Sequence, residues 1–175
     1  PGQVDGVPCL PGALEAAGIP IVLLDRDIVA FPQRSHFDLV GIDNRRAGYL
    51  VADHFIKLGC RRVDFLLRPG SAPTVMLRIA GYREALLSNS IAPDPRWVHC
   101  GEPTDEKFVH RIVADGATAV ICANDLTAAN LMRTLDALGV SVPQRIRVAG
   151  FDDVHYAELL RPALTTIHQP CADIG

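Results

Sequence analysis

Short, unbroken apolar runs alternate along this chain with segments whose apolar residues recur three and four positions apart. The first pattern suits a strand buried on both faces, and the second a helix with one face against a core. Strands are expected at residues 7–10, 21–24, 63–67, 97–98, 119–123, 148–151 and 164–167, with a weaker one at 39–42. A small helix is expected at 14–17, stopped by Gly18. A longer one opens at Asp43 or Asn44, since either side chain can accept from free backbone N–H groups. Ala47, Leu50, Val51, Phe55 and Leu58 form its apolar face, and Gly59 stops it. Thr74 opens a helix to about residue 87, and Thr104 caps another that stops at Gly116. Ala128, Leu131, Leu135 and Leu138 line a fifth before Gly139, and a new helix begins after Pro170.

Strand–helix alternation with short loops requires parallel strands joined by crossover helices. The run at 119–123 lacks polar alternation, so helices should cover both faces of its sheet. The fold class is α/β, doubly wound, with parallel sheets. Residues 25–37 have no periodicity and read as the boundary between two lobes. Residues 1–37 would then be part of one lobe, 38–168 a nearly complete second lobe, and 169–175 the start of a return crossover. Both ends read as cuts through a longer polypeptide.

Composition narrows the classes. The chain has 175 residues, 49% of them apolar, and 17 basic against 20 acidic side chains give a formal charge of −3. No stretch is basic enough to track a phosphate backbone, so this segment by itself should not grip DNA. No secretory leader is read, and no apolar run approaches the roughly 20 residues that span a bilayer. The five cysteines, Cys9, Cys60, Cys100, Cys122 and Cys171, are odd in number and contain no Cys-x-x-Cys pair. They read as reduced thiols of a cytoplasmic protein.

In an open parallel sheet, ligands bind at the carboxyl ends of the strands. Asp25-Arg26, Arg68, Asn124-Asp125 and Asp152-Asp153 follow apolar runs. Carboxylate, amide and guanidinium together suit a ligand rich in hydroxyls or ring heteroatoms. Asn124, Asp125 and Asp152 read equally well as caps of following helices. No glycine-rich dinucleotide or P-loop fingerprint and no Gly-x-Ser-x-Gly elbow is present, so no catalytic residue and no cofactor is assigned. A phosphoacceptor domain would also want a strand-end lysine, but Lys57 and Lys107 both fall in helices. The six histidines show no metal-ligand spacing, and His54 reads as a core or flank residue. Trp97 reads as packing rather than as a stacking platform.

Ordered motifs add to this. Val40-Gly41-Ile42-Asp43-Asn44, Gly48 and the run from Ala52 through Arg61-Arg62-Val63 come first. Arg78-Ile79-Ala80-Gly81-Tyr82 and the Asn124-Asp125 segment follow. Val148-Ala149-Gly150-Phe151-Asp152-Asp153 and Arg161-Pro162-Ala163-Leu164-Thr165-Thr166-Ile167-His168-Gln169-Pro170 complete the series. In this order they resemble the lactose-repressor and galactose-repressor family of bacterial transcription regulators, over almost the whole chain from Ile21. The resemblance implies a two-lobed fold like that of periplasmic binding proteins, with the effector in the cleft. It implies Asp25, Arg78, Asn124 and Asp152 as effector contacts, with Gln169 at the hinge. It also implies a sugar or related metabolite as ligand, a homodimer, no membrane, and DNA contact only through a helix-turn-helix N-terminal to this segment. Cys60 stands where the family has histidine, and Pro103 stands near a position where the family often carries a stacking aromatic. A periplasmic sugar receptor of a transporter is the competing reading, and an α/β enzyme a more distant one.

Overall fold

The computed structural model describes residues 10–29 and 32–174. The strand read at 7–10 lies outside the described residues, except that Leu10 begins a helix. Among the described residues the α-helices are α1 Leu10–Ala16, α2 Asn44–Lys57, α3 Thr74–Ser88, α4 Glu106–Ala114, α5 Asp125–Ala137 and α6 Cys171–Ile174. The strands among these residues are β1 Val22–Leu24, β2 Asp38–Val40, β3 Val63–Leu67, β4 Val98–Cys100, β5 Ala119–Cys122, β6 Arg147–Asp152 and β7 Thr165–His168.

All strand pairs are parallel. Strands β3 to β7 form one sheet in the order β4-β3-β5-β6-β7. The chain steps outward from β3 to β4 and then returns across β3 to β5, so the topology reverses beside β3. Alternate side chains divide the core. Val63, Phe65, Ile121, Ala149 and Phe151 pack against α2 and α3. Leu66, Val120, Cys122 and Val148 pack against α4 and α5. Every residue of β5 is buried, as its unbroken apolar run requires.

Among the described residues, a second sheet holds β1 and β2. Sheet membership therefore changes after Val40, not at residue 37. The segment 39–42, expected to open the larger sheet, instead pairs Leu39 with Leu23 and Val40 with Leu24. Three-residue strands with exposed Val22, Leu24 and Val40 carry too little pattern to reveal their partner.

Two boundaries moved for local reasons. Asp105, not Thr104, caps α4, accepting from the N–H groups of Lys107 and Phe108 at 2.9 and 3.2 Å. Asp94 and Pro95 start a short 3₁₀ turn, Pro95–Trp97, so β4 begins one residue after Trp97. Trp97 packs against the α2–α3 core with the Arg62 guanidinium over its ring. Cys60 and Cys122 are buried free thiols, whereas Cys100 and Cys171 are exposed. Cys9 lies outside the described residues. Among the described residues no helix is long and apolar enough to cross a membrane.

Candidate functional site

Asp25, Asn124-Asp125 and Asp152-Asp153 stand at the carboxyl ends of β1, β5 and β6, whereas Arg68, at the end of β3, pairs with Glu102 instead. Three backbone positions there are held in the left-handed region by aspartates, Asp25 at φ 66°, Asp152 at 105° and Asp153 at 53°. A non-glycine residue in this region costs free energy that surrounding contacts must offset, and such positions concentrate at functional sites.

Arg78 organises the cluster. It lies in the second turn of α3, is 4% exposed, and reaches three elements. Its Nε donates to Asn44 Oδ1 at 2.8 Å and its Nη1 to the Ala123 carbonyl at 2.6 Å. Nη2 stands 3.5 Å from Asp152 Oδ1, and the guanidinium lies 4.4 Å from the Phe151 ring centroid. Burial pulls Arg78 below the usual guanidinium range, against the pull of Asp152, Asp25 and Asp125. Burial likewise pushes the Asp152 carboxyl up. Arg78 opposes that shift, whereas Asp125 and Asp25 reinforce it. Desolvation thus outweighs a rather long ion pair for both partners.

Asn44 enters this site because Asp43 leaves it free. Asp43 caps α2 by accepting from the Arg46 N–H at 2.9 Å. The Asn44 side chain, one position on, turns inward and donates to the Ile42 carbonyl at 3.3 Å while it accepts from Arg78. Two potential caps in series were visible in the sequence. Only one can cap, and the surplus one was the available signal for Asn44.

Asn124 is the cap of α5, accepting from the Thr127 N–H at 2.9 Å. That takes its carbonyl and leaves its amide N–H groups available. Asp125 is no cap. It is fully buried, with Oδ1 accepting from the Thr166 hydroxyl at 2.7 Å and Oδ2 from the Val154 N–H at 3.0 Å. Gly150 backs it, because a Cβ there would come within 2.2 Å of Asp125 Oδ1. Burial raises the Asp125 carboxyl above its ordinary value despite these donors. Asp152 does not cap a helix either.

Across the cluster, Gln169 Nε2 donates to Asp25 Oδ1 at 2.6 Å. This bond ties the segment after β7 to the end of β1 and so joins the two sheets. An open cavity of about 410 Å³ lies alongside, lined by Asp25, Asp27, Arg34, Asn44, Thr74 and Leu77 among others. Asp25 opens directly on it, and Asn44 and Thr74 form its wall. Arg78, Asn124, Asp152 and Gln169 are not among its lining residues. Arg78 therefore stands behind Asn44 rather than in the opening. Among the described residues no cluster of His, Cys, Asp or Glu could hold a metal ion. The strand-end residue Arg68 pairs with Glu102 at 2.9 Å, exposed at the β3–β4 side. Pro103 is buried, and its carbonyl accepts from the Thr134 hydroxyl at 2.7 Å.

Residues 52–175 match the periplasmic binding protein-like domain. The chain is 34% identical over 155 residues to the HTH-type transcriptional regulator GalR of Escherichia coli, covering 86% of this chain and 44% of GalR. A transcriptional regulator CelR–cellobiose complex superposes with a TM-score of 0.82 at 30% identity, over 94% of this chain and 51% of that one. A sugar-binding LacI-family regulator from Escherichia coli, complexed with phosphate, gives 0.76 at 28% identity, over 94% and 60%. The chain spans about half the length of the curated relatives it matches.

Proposed function

Because the chain belongs to the periplasmic binding protein-like domain family, we propose that it is the effector-sensing part of a DNA-binding transcription regulator of the LacI type. Its effector is a sugar or a related small metabolite. Asp25, Arg78, Asn124, Asp152 and Gln169 form the site, with Asn44 and Thr74 in its wall. One observation carries this reading: a buried arginine braces an amide and a carboxylate beside an open cavity, at the carboxyl ends of parallel strands. Asp152 and Asp25 accept from ligand hydroxyls, and the Asn124 amide donates to them.

The two lobes meet near residues 41–43, and residues 169–175 begin the return to the first. Effector binding favours one lobe arrangement by its difference in affinity for the two. A homodimer in the cytoplasm passes that difference to DNA through a helix-turn-helix outside this segment, with no chemical step at the site. The relatives are named as regulators, which disfavours a transporter receptor.

The test is a thermal-shift screen with D-glucose, D-ribose, cellobiose and purine bases, followed by calorimetry on each hit. A ligand that binds the folded state raises the melting temperature by mass action. Asp152→Ala is expected to remove most of the affinity. A panel without a hit, or a hit whose affinity Asp152→Ala leaves unchanged, overturns the site.

A further inference from the structure

Two consecutive left-handed residues, Asp152 at φ 105° and Asp153 at 53°, form the corner where the chain leaves β6. Neither is glycine, so the corner stands only if contacts from outside offset its cost. Among the described residues the Asp152 carboxylate has one long contact of its own, 3.5 Å to Arg78 Nη2. Its aim is therefore set mainly by the corner.

Three ties hold this corner. The Asp153 N–H donates to Thr166 Oγ1 at 3.2 Å, and the Val154 N–H donates to Asp125 Oδ2 at 3.0 Å. Asp153 Oδ2 also stands 2.8 Å from His168 Nδ1, but that pair is exposed and adds little. The first two ties are one network, because the Thr166 hydroxyl donates onward to Asp125 Oδ1 at 2.7 Å. Asp125 is 0% exposed and reaches over β6 to β7 to accept that bond. Gly150, the register partner of Thr166, leaves the room, since a Cβ there would lie 2.2 Å from Asp125 Oδ1.

The polarity of the junction is fixed. A carboxylate accepts and a backbone N–H donates, so the hydroxyl gives its proton to Asp125 and turns a lone pair to Asp153. The same network spans the site. Asp125 follows Asn124, the corner carries Asp152, and β7 ends at His168, just before Gln169.

We propose that Thr166 is a positioning residue of the effector site. Its hydroxyl holds the Asp152–Asp153 corner in the left-handed region and so aims the Asp152 carboxylate, without touching the ligand itself. This rests on the effector site described above and adds the group that sets its geometry. It also gives a reason for a buried carboxylate that caps no helix: Asp125 anchors the hydroxyl and the next backbone N–H together.

Thr166→Val keeps the branched shape and removes the hydroxyl, whereas Thr166→Ser keeps the hydroxyl. Two measurements on the intact polypeptide read the effect. One is amide hydrogen exchange at Asp153 and Val154 without ligand, resolved by NMR. The other is calorimetry well below the melting temperature with D-glucose, D-ribose, cellobiose and adenine, beside Asp152→Ala.

In Thr166→Val both amides should exchange faster than in the unaltered protein. Affinity for a bound probe should fall roughly tenfold, about what misaiming one charge-assisted hydrogen bond costs. Thr166→Ser should restore both readings. A role confined to stability would lower the melting temperature and leave the affinity of the folded protein unchanged. That outcome overturns the positioning role, and a probe still lost in Asp152→Ala then leaves the effector site standing. Unchanged exchange at both amides, or a serine variant that restores nothing, overturns it as well. If no probe binds the unaltered protein, the effector reading fails and this inference fails with it. Should Thr166→Val fold poorly, Thr166→Cys carries the same expectations, because a thiol is a weak donor and a weak acceptor.

Discussion

At the scale of single residues, the proposed role of Asn124 can be separated from its capping role. Its carbonyl caps α5, which leaves its amide N–H groups for the proposed effector. Asn124→Asp keeps an acceptor for the Thr127 N–H and loses the donors. The expected result is an unchanged melting temperature with effector affinity reduced several-fold. Asn124→Ala should in addition cost about 1 kcal/mol of stability, the usual value of a lost cap. Denaturant melts of both variants, set beside calorimetry with any sugar hit, check this. The same scale shows where residue-by-residue reading stops. Asp25, Asn124 and Asp152 were legible because each follows an apolar run. Arg78 was not, since it sits within a helix and its fork reaches the strand ends only through the fold; resemblance alone pointed to it. Asn44 and Asp125 were read as caps because a side chain that accepts from a helix N-terminus and one that turns away from it look identical in sequence.

At the scale of elements, the α2–α3 pair is set by two glycines. A Cβ at Gly48 would lie 2.0 Å from the Arg78 carbonyl oxygen, and one at Gly81 would lie 1.8 Å from that of Arg45. The helices cross backbone against backbone, and this brings Arg78 beside Asn44. Gly81→Ala cannot be absorbed by a side-chain rotation, because the obstacle is main chain. It should cost about 3 kcal/mol, at the upper end of ordinary overpacking, although alanine favours a helix. It should also weaken effector binding by moving Arg78. Urea melts and calorimetry read the two effects. In the sequence these glycines look like weak points in good helices. Periodicity located the helices well, because their apolar faces meet a broad sheet. It said nothing of the approach distance between two of them, and it missed the partner of β2, since three residues hold too little pattern to choose a sheet.

At the scale of the whole molecule, the two sheets formed by the described residues are unequal. The five-stranded sheet has helices on both faces, whereas β1 and β2 make a two-stranded sheet with exposed Val22, Leu24 and Val40. The Gln169–Asp25 bond fastens the end of β1 to the segment after β7. Gln169→Leu should speed hydrogen exchange across residues 22–40 and leave β3, β5 and β6 protected. Equal exchange in the variant and the parent across 22–40 would show that the bond carries no such load. The doubly wound architecture was readable chiefly from β3, β5 and β6, whose strands are longer or fully apolar, and from the helices between them; β4 and β7 are short and carry polar residues.

The four described cysteines give this molecule a chemical stopwatch. Cys100 and Cys171 stand in solvent, Cys60 lies at the base of the core, and Cys122 lies on β5, the middle strand of the large sheet. Burial suppresses ionisation of the Cys122 thiol, and only a thiolate attacks a maleimide. An alkylating reagent therefore modifies the outer pair at once and must wait for the sheet to come apart before it reaches Cys122. Counting added masses against time in one unaltered sample then reports how often β5 is laid open, and an effector that holds the fold together should lengthen that wait in proportion to its occupancy.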